Sequence, residues 1–175
     1  MKTVYKIKGG THAPLRFPSF LRSLDGIRYR VMFPTSCRYN IGDPDQWDVN
    51  KLFGIGFFPW HKRHSVRIGW RYNTSLKMIE ILAYWRINGK FYFDSMGLIH
   101  INQSYVMEVL PSKGGRRKQD SVQIRIDGGK NPNYGVDVRT RTIYMKVRRW
   151  GYLLRPYFGG NQVAPHTMTI HMERL

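Results

Sequence analysis

A chain of 175 residues with 29 Lys and Arg against 11 Asp and Glu has a formal charge of +18 and a pI near 10.4. With 42% hydrophobic and 14% aromatic residues it has material for a packed core, which excludes a largely disordered chain. Its length suits one domain spanning 1–175, and its charge calls for an anionic partner: nucleic acid, acidic polysaccharide, an anionic membrane surface or an acidic protein. The single cysteine, Cys37, excludes an internal disulfide framework. No stretch approaches the roughly 20 apolar residues of a membrane span. The leading MKTVYKIKGGTHAP lacks the apolar run of a signal peptide, so the expected location is the cytoplasm or a virus particle.

Residues 3–8 alternate loosely and form a short strand ahead of Gly9-Gly10. Residues 9–25, interrupted by Pro14 and Pro18, read as an arm or loop with one helical turn over 19–24. Ile27, Tyr29, Val31 and Phe33 then alternate with Arg28, Arg30 and Met32, the period-two mark of a strand with one face in a core. Residues 34–50 are a turn-rich loop. Its carboxylates Asp43, Asp45 and Asp48 lack the glycine and distal Glu of an EF-hand and read as an Asx turn. Residues 51–58, KLFGIGFF, suit a buried strand in which glycine admits a neighbouring backbone.

The clearest element is the hairpin over 64–86. Val66, Ile68, Trp70 and Tyr72 alternate with Arg67, Gly69 and Arg71. After an Asn73-Thr74-Ser75 turn, Ile79, Ile81, Ala83 and Trp85 alternate with Glu80, Leu82, Tyr84 and Arg86. One face is aliphatic and indole, and the other carries Arg67, Arg71, Tyr84 and Arg86. Asn88-Gly89 signals a further hairpin into 90–94. Strands follow at 103–110, 121–127, 141–149, 152–158 and 167–173, with a basic loop KGGRRK at 113–118 and a Gly-rich loop at 127–135. About ten short strands and no amphipathic helix predict an all-β, jelly-roll-like antiparallel β-sandwich.

The segment 152–161, YLLRPYFGGN, followed by 164–170, APHTMTI, resembles the closing strands of concanavalin-like jelly rolls, the lectin, glucanase and polysaccharide-lyase type. In that superfamily a strand ends in a Gly-Gly-Asn turn and the last strand runs back across the sheet. The resemblance covers the last quarter of the chain and implies the fold. Its members bind glycans, cleave them or serve as structural modules.

The eleven acids are scattered, without the carboxylate pair that glycoside hydrolysis needs. A polysaccharide lyase needs instead a proton-transferring Tyr or His and a cation facing the uronate; Tyr84, Arg67 and His166 fill those roles in the alternative enzymatic reading. His61 and His64 lack the further ligands of a zinc site, and no metal or other cofactor is expected. The expected binding surface is Arg67, Arg71, Tyr84, Arg86, Tyr144, Lys146, Arg148 and Trp150, joined by Arg116, Arg117 and Lys118 of the basic loop. The sequence thus reads as a non-enzymatic binding or assembly module, its partner an acidic glycan or the protein shell of a viral or phage particle. Homo-oligomerisation is compatible with either. Nonspecific nucleic-acid binding through the same cations and interleaved aromatics is the competing reading.

Overall fold

The computed structural model describes residues 2–14, 19–116, 118–127 and 138–175. Twelve strands form two six-stranded antiparallel sheets, a β-sandwich with no α-helix among the described residues. The strands are β1 (Lys2–Ile7), β2 (Ser19–Arg22), β3 (Ile27–Met32), β4 (Asn50–Phe57), β5 (Ser65–Asn73) and β6 (Met78–Ile87). They continue with β7 (Lys90–Ile99), β8 (Ser104–Ser112), β9 (Ser121–Asp127), β10 (Val138–Tyr144), β11 (Trp150–Leu154) and β12 (Met168–Arg174). Sheet I runs β1-β12-β3-β8-β9-β10; sheet II runs β2-β11-β4-β5-β6-β7.

The alternation of apolar residues decides which side of each strand is sealed. Ile27, Tyr29 and Val31 of sheet I meet Phe53, Ile55, Ile68 and Trp70 of sheet II in one core, where Tyr29 packs on Phe53 (centroids 4.9 Å apart) and Phe33 on Trp70 (5.2 Å). The loop over 34–49 is held down by polar groups. The Tyr39 hydroxyl accepts from Asn50 Nδ2 at 2.8 Å, and buried Gln46 donates to the Tyr72 carbonyl at 2.9 Å. Asp43 closes the expected Asx turn, its Oδ1 accepting from the Asp45 N–H at 2.8 Å.

Turn chemistry matches the sequence at the β5–β6 and β6–β7 hairpins of sheet II. Asn73 Oδ1 accepts from the Leu76 N–H at 2.9 Å. Asn88 and Gly89 both take positive φ, 52° and 85°, as a two-residue type I′ turn requires.

Four expectations are corrected. The strand count among the described residues is twelve rather than about ten. Residues 19–22, expected as part of a helical turn, are extended as β2, because β11 offers its free edge to them; a 3-10 turn follows only at Ser23–Asp25. The strand expected at 141–149 lies at Val138–Tyr144. Met145 and Val147 stay buried beyond it, but their N–H groups donate to the Asp120 carbonyl and carboxylate, so burial continues after strand pairing has stopped. Similarly, the strand expected at 152–158 is Trp150–Leu154, with Tyr157 forming a separate bridge to Lys51. The Gly-rich loop expected at 127–135 falls, beyond Asp127, outside the described residues.

The arm expected at 9–25 folds onto its own chain at its near end. Gly10 N–H donates to the Ala164 carbonyl, Phe158 N–H to the His12 carbonyl, and His12 stacks on Tyr157 at 5.0 Å.

Candidate functional site

The outer face of sheet II holds a groove of about 620 Å³, and strand register explains its composition. Gly54 pairs with Arg67, Arg67 with Tyr84 and Tyr84 with Phe93, giving one row of outward side chains. In the next row Gly56, Ser65, Arg86 and Phe91 stand opposite one another. A register shift between Lys51 and Phe53 lets Phe53 enter the core while Lys51 faces out beside Gly69. The loop over 157–161 and the turn carrying His61 and Lys62 close the sides.

The glycines keep the floor open. A β-carbon at Gly54 would stand 2.6 Å from Arg67 Cα, and one at Gly56 would stand 2.7 Å from His61 Cβ and 2.9 Å from Tyr152 Cε2. Only a bare backbone lets Arg67 and the His61–Tyr152 pair lie against β4. Tyr152 locks that pair: its hydroxyl lies 2.5 Å from the His61 backbone nitrogen, whose N–H it accepts, and 2.9 Å from Nδ1.

Positive charge concentrates here. Lys51 Nζ donates to the Gly159 carbonyl at 3.0 Å and sits 5.4 Å from the Tyr84 ring centroid and 5.8 Å from that of Tyr157. Arg67 donates to the Arg155 carbonyl at 2.6 Å, while its enclosed Nε has no hydrogen-bond partner among the described residues. Arg86 donates weakly to the Tyr84 hydroxyl and the Gly89 carbonyl, both at 3.3 Å, and lies over Phe91.

Burial, and then the adjacent Arg67 and Arg86 charges, push the Lys51 ammonium down to about 8 against an opposing pull from Asp48. Burial lowers Arg67 to about 10. Burial, followed by Arg67, Lys62 and Arg86, also holds His61 below its ordinary value. Among the described residues, Asp48 is the only carboxylate lining the groove, and it accepts from the Gly160 N–H.

The outer face of sheet I is cationic in a different way. Arg28 and Arg125 flank Glu108 at 3.0 and 3.8 Å, and Arg30 reaches Glu173 at 2.6 Å. Each of those arginines thus faces a carboxylate of the protein itself, Arg28 and Arg125 sharing one. Among the described residues, no carboxylate comes within ion-pair distance of Lys51, Arg67 or Arg86.

The expected binding residues divide accordingly. Arg67, Tyr84 and Arg86 line the groove. Arg71 shares their face but is tied to Glu80 at 2.7 Å and to the Trp47 carbonyl at 2.8 Å. Burial disfavours the Glu80 charge, yet the bonds from Arg71 and Ser95 outweigh it and hold that carboxyl below its usual value. Trp150 opens β11 on the same face.

The others stand apart from the groove. Tyr144 is exposed on β10 of sheet I, Lys146 in the segment beyond it, and Arg148 between β10 and β11, where its charge adds to burial and Arg63 in lowering His64. Arg116 and Lys118 are exposed on the loop joining β8 and β9; Arg117 lies outside the described residues. Of the enzymatic trio, Tyr84 and Arg67 meet in the groove, while His166 packs elsewhere, its Nε2 2.9 Å from the Ser36 carbonyl. His61 is the histidine that lines the groove.

Sequence reasoning missed Lys51, His61, Phe91, Phe93 and Tyr157. The two phenylalanines were within reach: an Asn-Gly turn at 88–89 sets Phe91 opposite Arg86 and Phe93 opposite Tyr84. Among the described residues no group of three or more His, Cys, Asp or Glu is placed to hold a metal ion, and no helix is long and apolar enough to cross a membrane. Compared with protein-family models, curated proteins and solved structures, the chain matches none.

Proposed function

We propose that this chain is a non-enzymatic binding module on a concanavalin-like jelly-roll frame, and that the groove of sheet II takes an acidic glycan. One contrast carries the reading. Each of Arg28, Arg30 and Arg125 on the outer face of sheet I has a carboxylate partner, whereas Lys51, Arg67 and Arg86 converge without one among the described residues. Keeping three partly desolvated cations together is costly unless an anion completes the set.

The walls favour a sugar over a bare anion. Phe91 and Phe93, 57% and 44% exposed, offer ring faces on which the C–H surface of a pyranose can lie while its carboxylate meets the cations; Tyr84 is buried beneath Phe91 and Lys51 and supports them. The Gly-Gly-Asn turn at 159–161, part of the jelly-roll resemblance, lines the same groove.

Calorimetric titration at moderate salt with polygalacturonate, alginate and hyaluronate, against neutral dextran, tests this. Saturable binding to an acidic polymer is expected, with Lys51→Met and Arg86→Gln each weakening it about tenfold. A log–log loss of affinity with salt that is the same for uronates, duplex DNA and polyphosphate would replace the reading with nonspecific polyanion binding. Release of ultraviolet-absorbing unsaturated ends would replace it with lyase chemistry. Failure of every uronate, together with capture of an acidic shell protein, would assign the groove to assembly.

A further inference from the structure

Strand register extends the second groove row across the whole of sheet II. Phe20, Tyr152, Gly56, Ser65, Arg86 and Phe91 stand opposite one another in sequence from β2 to β7. At about 4.8 Å between strands, the row covers roughly 24 Å at right angles to the strands, the length of several sugar units.

Beyond the cationic groove the row enters an aromatic field. Phe20 is 79% exposed, Trp60 73%, and Phe58 and Trp150 54% each. Phe58 and Trp150 are adjacent through a backbone hydrogen bond, Trp150 faces Arg22 across the strand pair, and Arg149 lies over the Trp150 ring at 5.6 Å. His61 belongs to both regions: it lines the groove and meets Tyr152 edge-on at 5.7 Å, next to Trp60 in the chain. Three large aromatic side chains left in water at the β2–β11–β4 end of the sheet, with exposed Trp60 on the turn two residues beyond Phe58, mark a contact surface. Its cations suit the same anionic ligand as the groove.

We infer that the ligand is a linear acidic polysaccharide chain lying across all six strands of sheet II, its acidic group held at Lys51, Arg67 and Arg86 and its neighbouring rings stacked on Trp60 and Trp150. This rests on the groove binding an acidic glycan and adds that the ligand is a polymer read at several units. Contacts made by successive units on one chain reinforce one another, so affinity must depend on length.

The test titrates a size series of oligogalacturonates and oligomannuronates, from dimers to octamers, into the wild-type protein and the double variant Trp60→Ala/Trp150→Ala. Neither ring belongs to the core, so the variant should fold, which its thermal melt and the short oligomer's binding check. Wild-type affinity should rise about tenfold or more from the shortest oligomer bound to the octamer. The double variant should lose that gain while binding the short oligomer unchanged. Equal affinity at all lengths, or an equal loss at all lengths in the variant, overturns the inference and leaves the groove reading standing. If no oligomer of either series binds at any length, the groove reading itself fails. If the variant keeps the length dependence but no longer adsorbs to phosphatidylglycerol vesicles, the aromatic field serves a lipid surface and the inference fails.

Discussion

The guanidinium of Arg139 occupies the space a side chain at residue 97 would need. It donates to the Met96 and Leu98 carbonyls at 3.0 and 3.3 Å, straddling Gly97, and a β-carbon there would stand 2.7 Å from Arg139 Cζ. Because β10 edges sheet I and β7 edges sheet II, this contact clamps the two layers at their open side. Gly97 also has φ of +104°, a conformation L side chains rarely adopt. Gly97→Ala should therefore destabilise the protein by about 2–4 kcal/mol in urea titration. Combined with Arg139→Met, the losses should be less than additive, since both break one clamp. A change below about 0.5 kcal/mol for Gly97→Ala would show that the clamp contributes nothing.

Cys37 is fully buried, its thiol donating to the Thr169 carbonyl at 3.2 Å, and burial pushes it up to about 12 against a smaller effect from Ser36. The reactive species is the thiolate, so both access and ionisation are withheld. At about pH 8, Ellman's reagent should label the native protein only at the rate of unfolding and label urea-unfolded protein at once. Full labelling of native protein within seconds would contradict this burial.

The hairpin of β5 and β6 shows how far pattern alone reaches. Alternation put Val66, Ile68, Trp70 and Tyr72 inside and Arg67 and Tyr84 together outside, and the register agrees. Alternation distinguishes in from out but does not say which sheet a strand joins. Arg28, Arg30 and Arg125 show the same outward alternation as Arg67, although they occupy the opposite side of the sandwich. Lys51 was hidden at the head of an apolar run, and the β-bulge that turns it outward leaves no mark in composition. His61 and Tyr157 reach the groove from non-strand segments, positioned by contacts with Tyr152 and Lys51 that lie 91 and 106 residues away in the chain.

Asn50 links the core to the groove. Its Nδ2 donates to the Tyr39 hydroxyl, and its Oδ1 accepts from the Gly159 N–H at 2.5 Å, in the loop whose carbonyl holds Lys51. Asn50→Leu would bury the Gly159 N–H without a partner and should cost about 1–3 kcal/mol of stability. Ligand affinity should fall as well, because Gly159 sets the position of the ammonium. Chemical denaturation together with titration of polygalacturonate checks both. Loss of stability with unchanged affinity would separate the loop from the site.

Lys51 links the site to pH. Its proton leaves at about 8 in the folded protein, against 10.5 as the ordinary value. Between those values the unfolded chain keeps a proton that the folded chain has released, so the stability governed by this group rises with pH across that window. Binding has the opposite dependence. A carboxylate beside Nζ favours the ammonium, so the bound protein regains the proton and affinity for an acidic ligand falls as pH climbs through about 8. Titration of polygalacturonate at about pH 8.5, in two buffers of different ionisation enthalpy, should register proton uptake with wild type and none with Lys51→Met. Heats that do not depend on the buffer, or the same uptake in the variant, would remove Lys51 from the binding site.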